Sequence, residues 1–227
     1  MNPRLNDGQP PRPVPMEGPT SVYSQGPREA QNPALLLVDV LHGFLSPEGT
    51  LYHPDAKAAA EPLRQLRDTA RAAERLIVYA MDHHRPGVFD FELLHVREHC
   101  VAGEADAEPF EDFVPADGAL NEIAITKRRY SAFYGTELDM LLREHRIDTV
   151  VLAGVKTNVC LRATAQDAFA GGYRVIVPRD ATCSNRPHLA EASLEDIEHY
   201  FGRVVELQAA LDVLACAGAA QPQGSGP

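Results

Sequence analysis

The chain has 227 residues, 44% hydrophobic and 23% charged, which is ordinary for a globular protein large enough to bury its own core. Lys and Arg number 21 against 32 Asp and Glu, so the net charge of −11 argues against a general phosphate-backbone binder and predicts no nucleic-acid partner. Four scattered cysteines without a C-x-x-C pair exclude a disulfide-framework domain and predict a reducing, cytoplasmic compartment, and no apolar run reaches the ~18 residues of a membrane span.

Residues 1–30 hold seven of the 18 prolines and almost no periodic apolar pattern. Proline fixes φ and removes a backbone donor, so this stretch reads as a tail, either solvated or wrapped on a neighbouring subunit. The domain is expected over residues 31–215, with a second tail over 216–227. Within it, Ala34–Val40 is a continuous apolar run that takes in an acid, Asp39. Leu63–Arg75 carries apolar residues at helical spacing. Leu76–Met81 is a second run followed by Asp82, and Ile123–Lys127 a third. Thr136–Arg146 reads as an amphipathic helix, Thr149–Gly154 as a strand and Cys160–Ala170 as a helix. Tyr173–Pro178 is the next strand, Ala190–Gly202 a helix and Arg203–Leu207 an edge strand. Val, Ile and Leu runs alternating with helices imply an α/β fold: an open parallel sheet of about six strands with helices on both faces. Such sheets bind ligands at the carboxyl ends of their strands, where Asp39, Asp82, Lys127 and the loop 154–160 all fall.

Cys160 follows a strand-end glycine and a tight turn. A thiol at a helix N-terminus meets the positive end of the dipole and free N–H groups, which favour the thiolate and could hold an oxyanion; the alternative is a buried cysteine acting as a small hydrophobe. Asp39 ends an apolar run, where desolvation would raise its proton affinity and suit a general base, or it caps the next turn. Lys127 is either a partner to these groups or an exposed strand-end lysine. Together the three would supply a nucleophile, a base and a cation near one point.

The run KRRYSAFYGTELD (127–139), the run GVKTNVCLRATAQDAFAGGYRVIVPRDATCS (154–184) and the opening LLLVDVLHGF (35–44) resemble, in order, the cysteine hydrolase branch of the isochorismatase-like superfamily over about residues 33–208. The resemblance implies a catalytic triad of Asp39, Lys127 and Cys160. It also implies an oxyanion hole from the backbone N–H groups of Lys156 and Cys160, and a cis Val155–Lys156 peptide. Because isochorismatases lack the cysteine, Cys160 points to amide hydrolysis, nicotinamidase-like, through a thioester with release of ammonia. The alternatives are a metal-independent carbamoyl or ureido amidohydrolase and a non-catalytic member that keeps the fold.

Asp82-x-His84 matches the nicotinamidase metal pair, and His99 the segment of the third ligand, so the resemblance implies one divalent ion, Zn²⁺, Mn²⁺ or Fe²⁺, and no organic cofactor. Asp90 stands where some nicotinamidases place a fourth ligand. The family's aromatic-Pro-Pro-His segment reads Val96-Arg97-Glu98-His99 here. That leaves Phe44 and Tyr134 as stacking candidates, and Arg97 as a partner for a substrate carboxylate. A small-molecule amide substrate and a homo-oligomer, dimer or tetramer, complete what the resemblance implies.

Overall fold

In the computed structural model, residues 32–216 are described. The sequence-predicted tail 1–30 lies outside them, as does the tail 216–227 apart from Cys216. Seven strands, β1 (Pro33–Val38), β2 (Ile77–Asp82), β3 (Glu122–Lys127), β4 (Thr149–Val155), β5 (Arg174–Pro178), β6 (Thr182–Cys183) and β7 (Arg203–Val205), form one sheet. Their order is β3-β2-β1-β4-β5-β7, with β6 paired to the end of β4, and the pairings are parallel.

The continuous apolar runs have a direct cause. In β1, Ala34, Leu36 and Val38 point to one core, and Leu35 and Leu37 to the other. The first core takes the buried faces of α3 (Leu138–Glu144), α4 (Arg162–Ala170) and α5 (Pro187–Asp196). The second takes those of α2 (Ala56–Ala72) and α6 (Leu207–Ala215), with the short α1 (His42–Leu45) at its end. A strand covered on both faces cannot alternate with polar residues. No helix among the described residues is long and apolar enough to cross a membrane.

Three elements differ from the sequence expectation. Helix α2 starts at Ala56, two turns before Leu63, and runs through Pro62. Proline there forfeits one backbone bond, but Ala56, Ala59 and Ala60 are buried with Leu63 and Leu66, and that burial sets the helix start. The edge strand stops at Val205, and residues 207–215 turn into α6, whose Ala210 and Leu214 pack in the second core. Strand β6 has only two residues, too short for any periodic signal.

The chain adds β2 and β3 on one side of β1, and β4, β5 and β7 on the other. The switch point therefore lies between β1 and β4, where Val38 pairs with Gly154. At φ +121°, a Cβ on Gly154 would stand 2.0 Å from the Val38 carbonyl oxygen. Gly154→Ala is therefore expected to force the two central strands apart and lower stability by at least ~3 kcal/mol. The control is Gly172→Ala, which has φ +87° but nothing within 4 Å of its added methyl; it should cost only about 1 kcal/mol. Urea unfolding midpoints of the two variants check the contrast.

Candidate active site

The strand ends at the switch point carry the chemistry. Asp39 follows β1 with φ +54°, a left-handed conformation that aspartate tolerates better than most residues and that concentrates at functional sites. Lys127 ends β3 and pairs in register with Asp82, the last residue of β2. Its Nζ lies 2.9 Å from Asp39 Oδ2, 3.9 Å from Asp82 Oδ1 and 3.8 Å from Cys160 Sγ. Asp39, Lys127 and Cys160 are all buried. The structure thus brings the three sequence candidates to one point, and Lys127 is no exposed strand-end lysine.

Burial pushes the Asp39 carboxyl up to about 6, against the pull of the Lys127 ammonium. Burial would lower Lys127, but Asp39, Cys160 and Asp82 hold it protonated. Burial pushes the Cys160 thiol well above its usual range, opposed by Lys127 and reinforced by Asp39. This burial opposes the thiolate that a helix N-terminus would favour. Cys160 is the fourth residue of a single π-turn, Thr157–Leu161, that precedes α4, and it is desolvated there. The Val155–Lys156 peptide is cis, as the resemblance implies. The Lys156 N–H donates no hydrogen bond among the described residues. The other cysteines are free thiols: Cys100 is buried, Cys183 is pushed up to about 12 by burial, and Cys216 is exposed.

Beside this cluster, Asp82, His84, Glu92 and His99 place one donor atom each within 4.8 Å of one another, all buried. His99 Nε2 lies 3.1 Å and His84 Nε2 3.6 Å from Asp82 Oδ2. Burial pushes Asp82 up, but Lys127 and the two imidazoles hold it well below the usual carboxylate range. His84 is raised to about 9, first by the nearby Asp82 carboxylate. Asp82 Oδ1, His84 Nε2 and Glu92 Oε2 are buried without a hydrogen-bond partner. Orphaned acceptors sharing one point fit a divalent cation. Asp90 does not supply one of those atoms. Its Oδ2 lies 3.0 Å from His84 Nδ1 and its Oδ1 accepts from Arg129 at 2.8 Å, which orients the imidazole from behind. Glu92, not Asp90, places its carboxylate with the donor atoms of Asp82, His84 and His99. The sequence reading missed Glu92 because a glutamate in a loop, ten residues past Asp82, carries no signal of its own. His83 bonds the Ala107 carbonyl and stands apart.

A cavity of about 110 Å³ opens on the thiol, with Phe44, Leu51, Asp82, Glu92, Val96, His99, Tyr130, Lys156 and Val159 around Cys160. It is far smaller than the ~300–1,000 Å³ of drug-sized sites. Phe44 meets His99 edge-on, with ring centroids 6.1 Å apart. Tyr134 and Arg97 are not in this wall. Tyr134 is 69% exposed and lines a separate, more open cleft of about 470 Å³ with His83, Arg85, Arg128 and Arg129. Arg97 is exposed, and its carbonyl fixes His99 Nδ1 at 2.8 Å. Tyr130, four residues before Tyr134 and missed in the sequence, is the tyrosine that reaches the cavity, because the chain turns between the two.

Known proteins share this sequence pattern and fold. The isochorismatase domain model matches residues 33–209. The chain belongs to the isochorismatase family. A maleamate amidohydrolase from Pseudomonas putida is 34% identical over 195 residues, covering 85% of this chain and 92% of the relative. An N-carbamoylsarcosine amidase from an Arthrobacter species is 29% identical, covering 83% and 75%. Among solved structures, the N-carbamoylsarcosine amidase of Thermoplasma acidophilum matches with a TM-score of 0.68 at 32% identity, covering 78% of this chain and 96% of that one. The nicotinamidase of Bacillus subtilis matches with a TM-score of 0.73 at 28% identity, covering 77% and 99%. This isochorismatase-family protein is an amidohydrolase, an enzyme acting on carbon–nitrogen bonds other than peptide bonds.

The Asp39 environment gives a pH dependence with a definite sign. A raised carboxyl pKa means that the base form is lost as pH falls through about 6. Ammonia release (kcat/KM) should fall below pH 6 by up to about tenfold per unit. In Lys127→Met the opposing cation is gone, so the same limb should move to higher pH. A profile flat between pH 5 and 7 would contradict the assignment of Asp39 as base.

Proposed function

We propose that the enzyme is a cysteine amidohydrolase that cleaves a small amide C–N bond through a thioester and releases ammonia. The observation that carries this reading is the buried cluster of Asp39, Lys127 and Cys160 at the end of a small cavity. Asp39 accepts the proton of Cys160 Sγ, and the sulfur attacks the amide carbon. The N–H groups of Lys156 and Cys160 receive the developing oxyanion. Asp39 returns the proton to the leaving nitrogen, which departs as ammonia. With Asp39 again a base, a water molecule loses a proton to it and splits the thioester, giving the free acid and the thiol. Lys127 stays protonated throughout and keeps Asp39 from being trapped as a neutral acid.

Asp82, His84, Glu92 and His99 would hold a divalent cation, with Asp90 setting the His84 ring. Such an ion would supply a Lewis-acidic contact that orients a polar end of the substrate. This donor group favours a nicotinamide-like substrate, whose ring nitrogen suits a metal. The relatives named for maleamate and N-carbamoylsarcosine support a second reading, an open-chain amide handled without the ion.

Two measurements test these readings. Cys160→Ala should abolish ammonia release from every amide turned over by the parent, a loss of at least about a thousandfold; unchanged turnover would remove the sulfur from the mechanism. Purified protein should contain one equivalent of Zn²⁺, Mn²⁺ or Fe²⁺ by mass spectrometry, and Glu92→Gln should weaken its retention by about ten- to a hundredfold. Parent protein that turns over amides while holding no metal would favour the open-chain reading.

A further inference from the structure

The turn that carries Cys160 is held by hydroxyl groups. Thr157 Oγ1 lies 2.8 Å from Thr182 Oγ1, and the Ser184 hydroxyl donates to Asn158 Oδ1. Both contacts tie the turn to the segment around β6. Toward β3 the tether is Thr164, on α4. Its hydroxyl donates to the Cys160 carbonyl at 2.7 Å and accepts from the Ala132 N–H at 3.0 Å. Thr164 and Ala132 are both 0% exposed. A hydroxyl bonded to the carbonyl four residues back is common in helices and by itself adds little; Ser193 makes the same bond to the Leu189 carbonyl at 2.7 Å. The bond to Ala132 is what sets Thr164 apart. Ala132 belongs to the stretch that runs from Lys127, at the end of β3, to α3. Among the described residues, the other hydrogen bonds of residues 131–136 stay within that stretch or reach only the start of α3. The Thr164 hydroxyl is thus the hydrogen bond that fastens this stretch to the Cys160 turn, and a buried Ala132 N–H would be left unsatisfied without it.

We propose that Thr164 is a positioning residue for the nucleophile: its hydroxyl fixes the spacing between the Cys160 turn and the stretch that begins at Lys127, and so holds Lys127 Nζ against Cys160 Sγ. This rests on the amidohydrolase reading above, in which that sulfur attacks. Thr164 does not line the cavity, and it acts through the two backbone groups that it joins. The Nζ–Sγ separation is 3.8 Å. Attraction between an ammonium and a sulfur anion falls with distance, and in a buried site little solvent screens it. A slip of the stretch away from the turn therefore weakens the support that Lys127 gives to a developing thiolate. Tyr130 stands in the same stretch and lines the cavity. A slip that acted through the cavity wall would show in substrate binding, whereas one that acts through the lysine shows in the reactivity of the sulfur.

Thr164→Val keeps the shape of the side chain and removes the hydroxyl, while Thr164→Ser keeps the hydroxyl. Alkylation of Cys160 by iodoacetamide, followed by mass spectrometry of the Cys160 peptide, reads the sulfur without turnover. Thr164→Val is expected to slow alkylation and to lower kcat for ammonia release by at least about tenfold, with KM changed less than about threefold. The alkylation limb should move to higher pH, because a more distant ammonium supports the thiolate less. Thr164→Ser should restore most of both rates. Added to Lys127→Met, Thr164→Val should slow alkylation by less than a further threefold or so, since the contact it protects is already gone. Ser193→Ala, which removes a buried hydroxyl with the same local bond, should leave both rates unchanged. If Thr164→Val does not fold, Thr164→Ala, which leaves space for a water on the Ala132 N–H, carries the same expectations. Parental alkylation and kcat in the Val or Ala variant overturn the proposal, as does an equal loss in Thr164→Ser. An undiminished slowing in Lys127→Met protein also overturns it and places the effect outside the lysine–sulfur contact. So does a rise in KM with kcat unchanged, which assigns the stretch to the cavity wall through Tyr130. If no amide is turned over yet alkylation depends on Thr164 and Lys127 together, the hydrolase reading fails while the positioning role stands.

Discussion

The buried pair of Asp39 and Lys127 is the constraint on which the site depends. Neither charge is tolerable alone at full burial. Each is present because parallel pairing ends β1 and β3 on either side of β2, so that an aspartate and a lysine 88 positions apart in the chain meet at 2.9 Å. The pair leaves Asp39 close to neutrality in its proton balance, neither a strong acid locked as carboxylate nor a neutral group. That is the condition a base needs to take a proton from a thiol and give it back to a leaving nitrogen within one turnover. The desolvation that raises the Asp39 carboxyl also raises the Cys160 thiol, so one environment shifts both groups in the same direction.

The cavity has three parts built from different strand ends. The triad sits between β1, β3 and the turn after β4. The donor group extends from the end of β2 through the loop that carries Glu92 and His99. Lys156, at the cis peptide after β4, closes the remaining side. Because Lys156 and Cys160 bracket one turn, the groups that would hold the oxyanion and the sulfur are fixed to the end of β4 as a unit. Gly154 lets β4 lie close enough to β1 for that unit to reach Asp39. Fold and chemistry meet at this one close backbone approach.

Much of the framework was readable from residue order. Runs such as Leu35–Val38 and Val150–Ala153 signal strands because both of their faces are covered, and the acid or glycine at each end marks where the strand leaves the core. The triad residues stood at those ends. Other features were silent. Helix α6 follows an edge strand with no break that a linear pattern shows, and Pro62 masked the first turns of α2. Glu92, in a single short helical turn, and Tyr130, in a loop, have no periodicity to say which way a side chain turns. Arg97 and Tyr134 had suitable chemistry, but the loops carrying them direct both away from the cavity.

By itself the sequence determined the fold class and set Asp39, Asp82 and Lys127 at strand ends, because hydrophobic periodicity and residue chemistry are local properties. Only the tertiary structure decided that Cys160 is buried beside Lys127, that Glu92 rather than Asp90 places a donor atom with Asp82, His84 and His99, and that Lys156 has no ion pair among the described residues. Those outcomes depend on desolvation and on distances between segments far apart in the chain, and neither quantity exists until the sheet has brought its strand ends together.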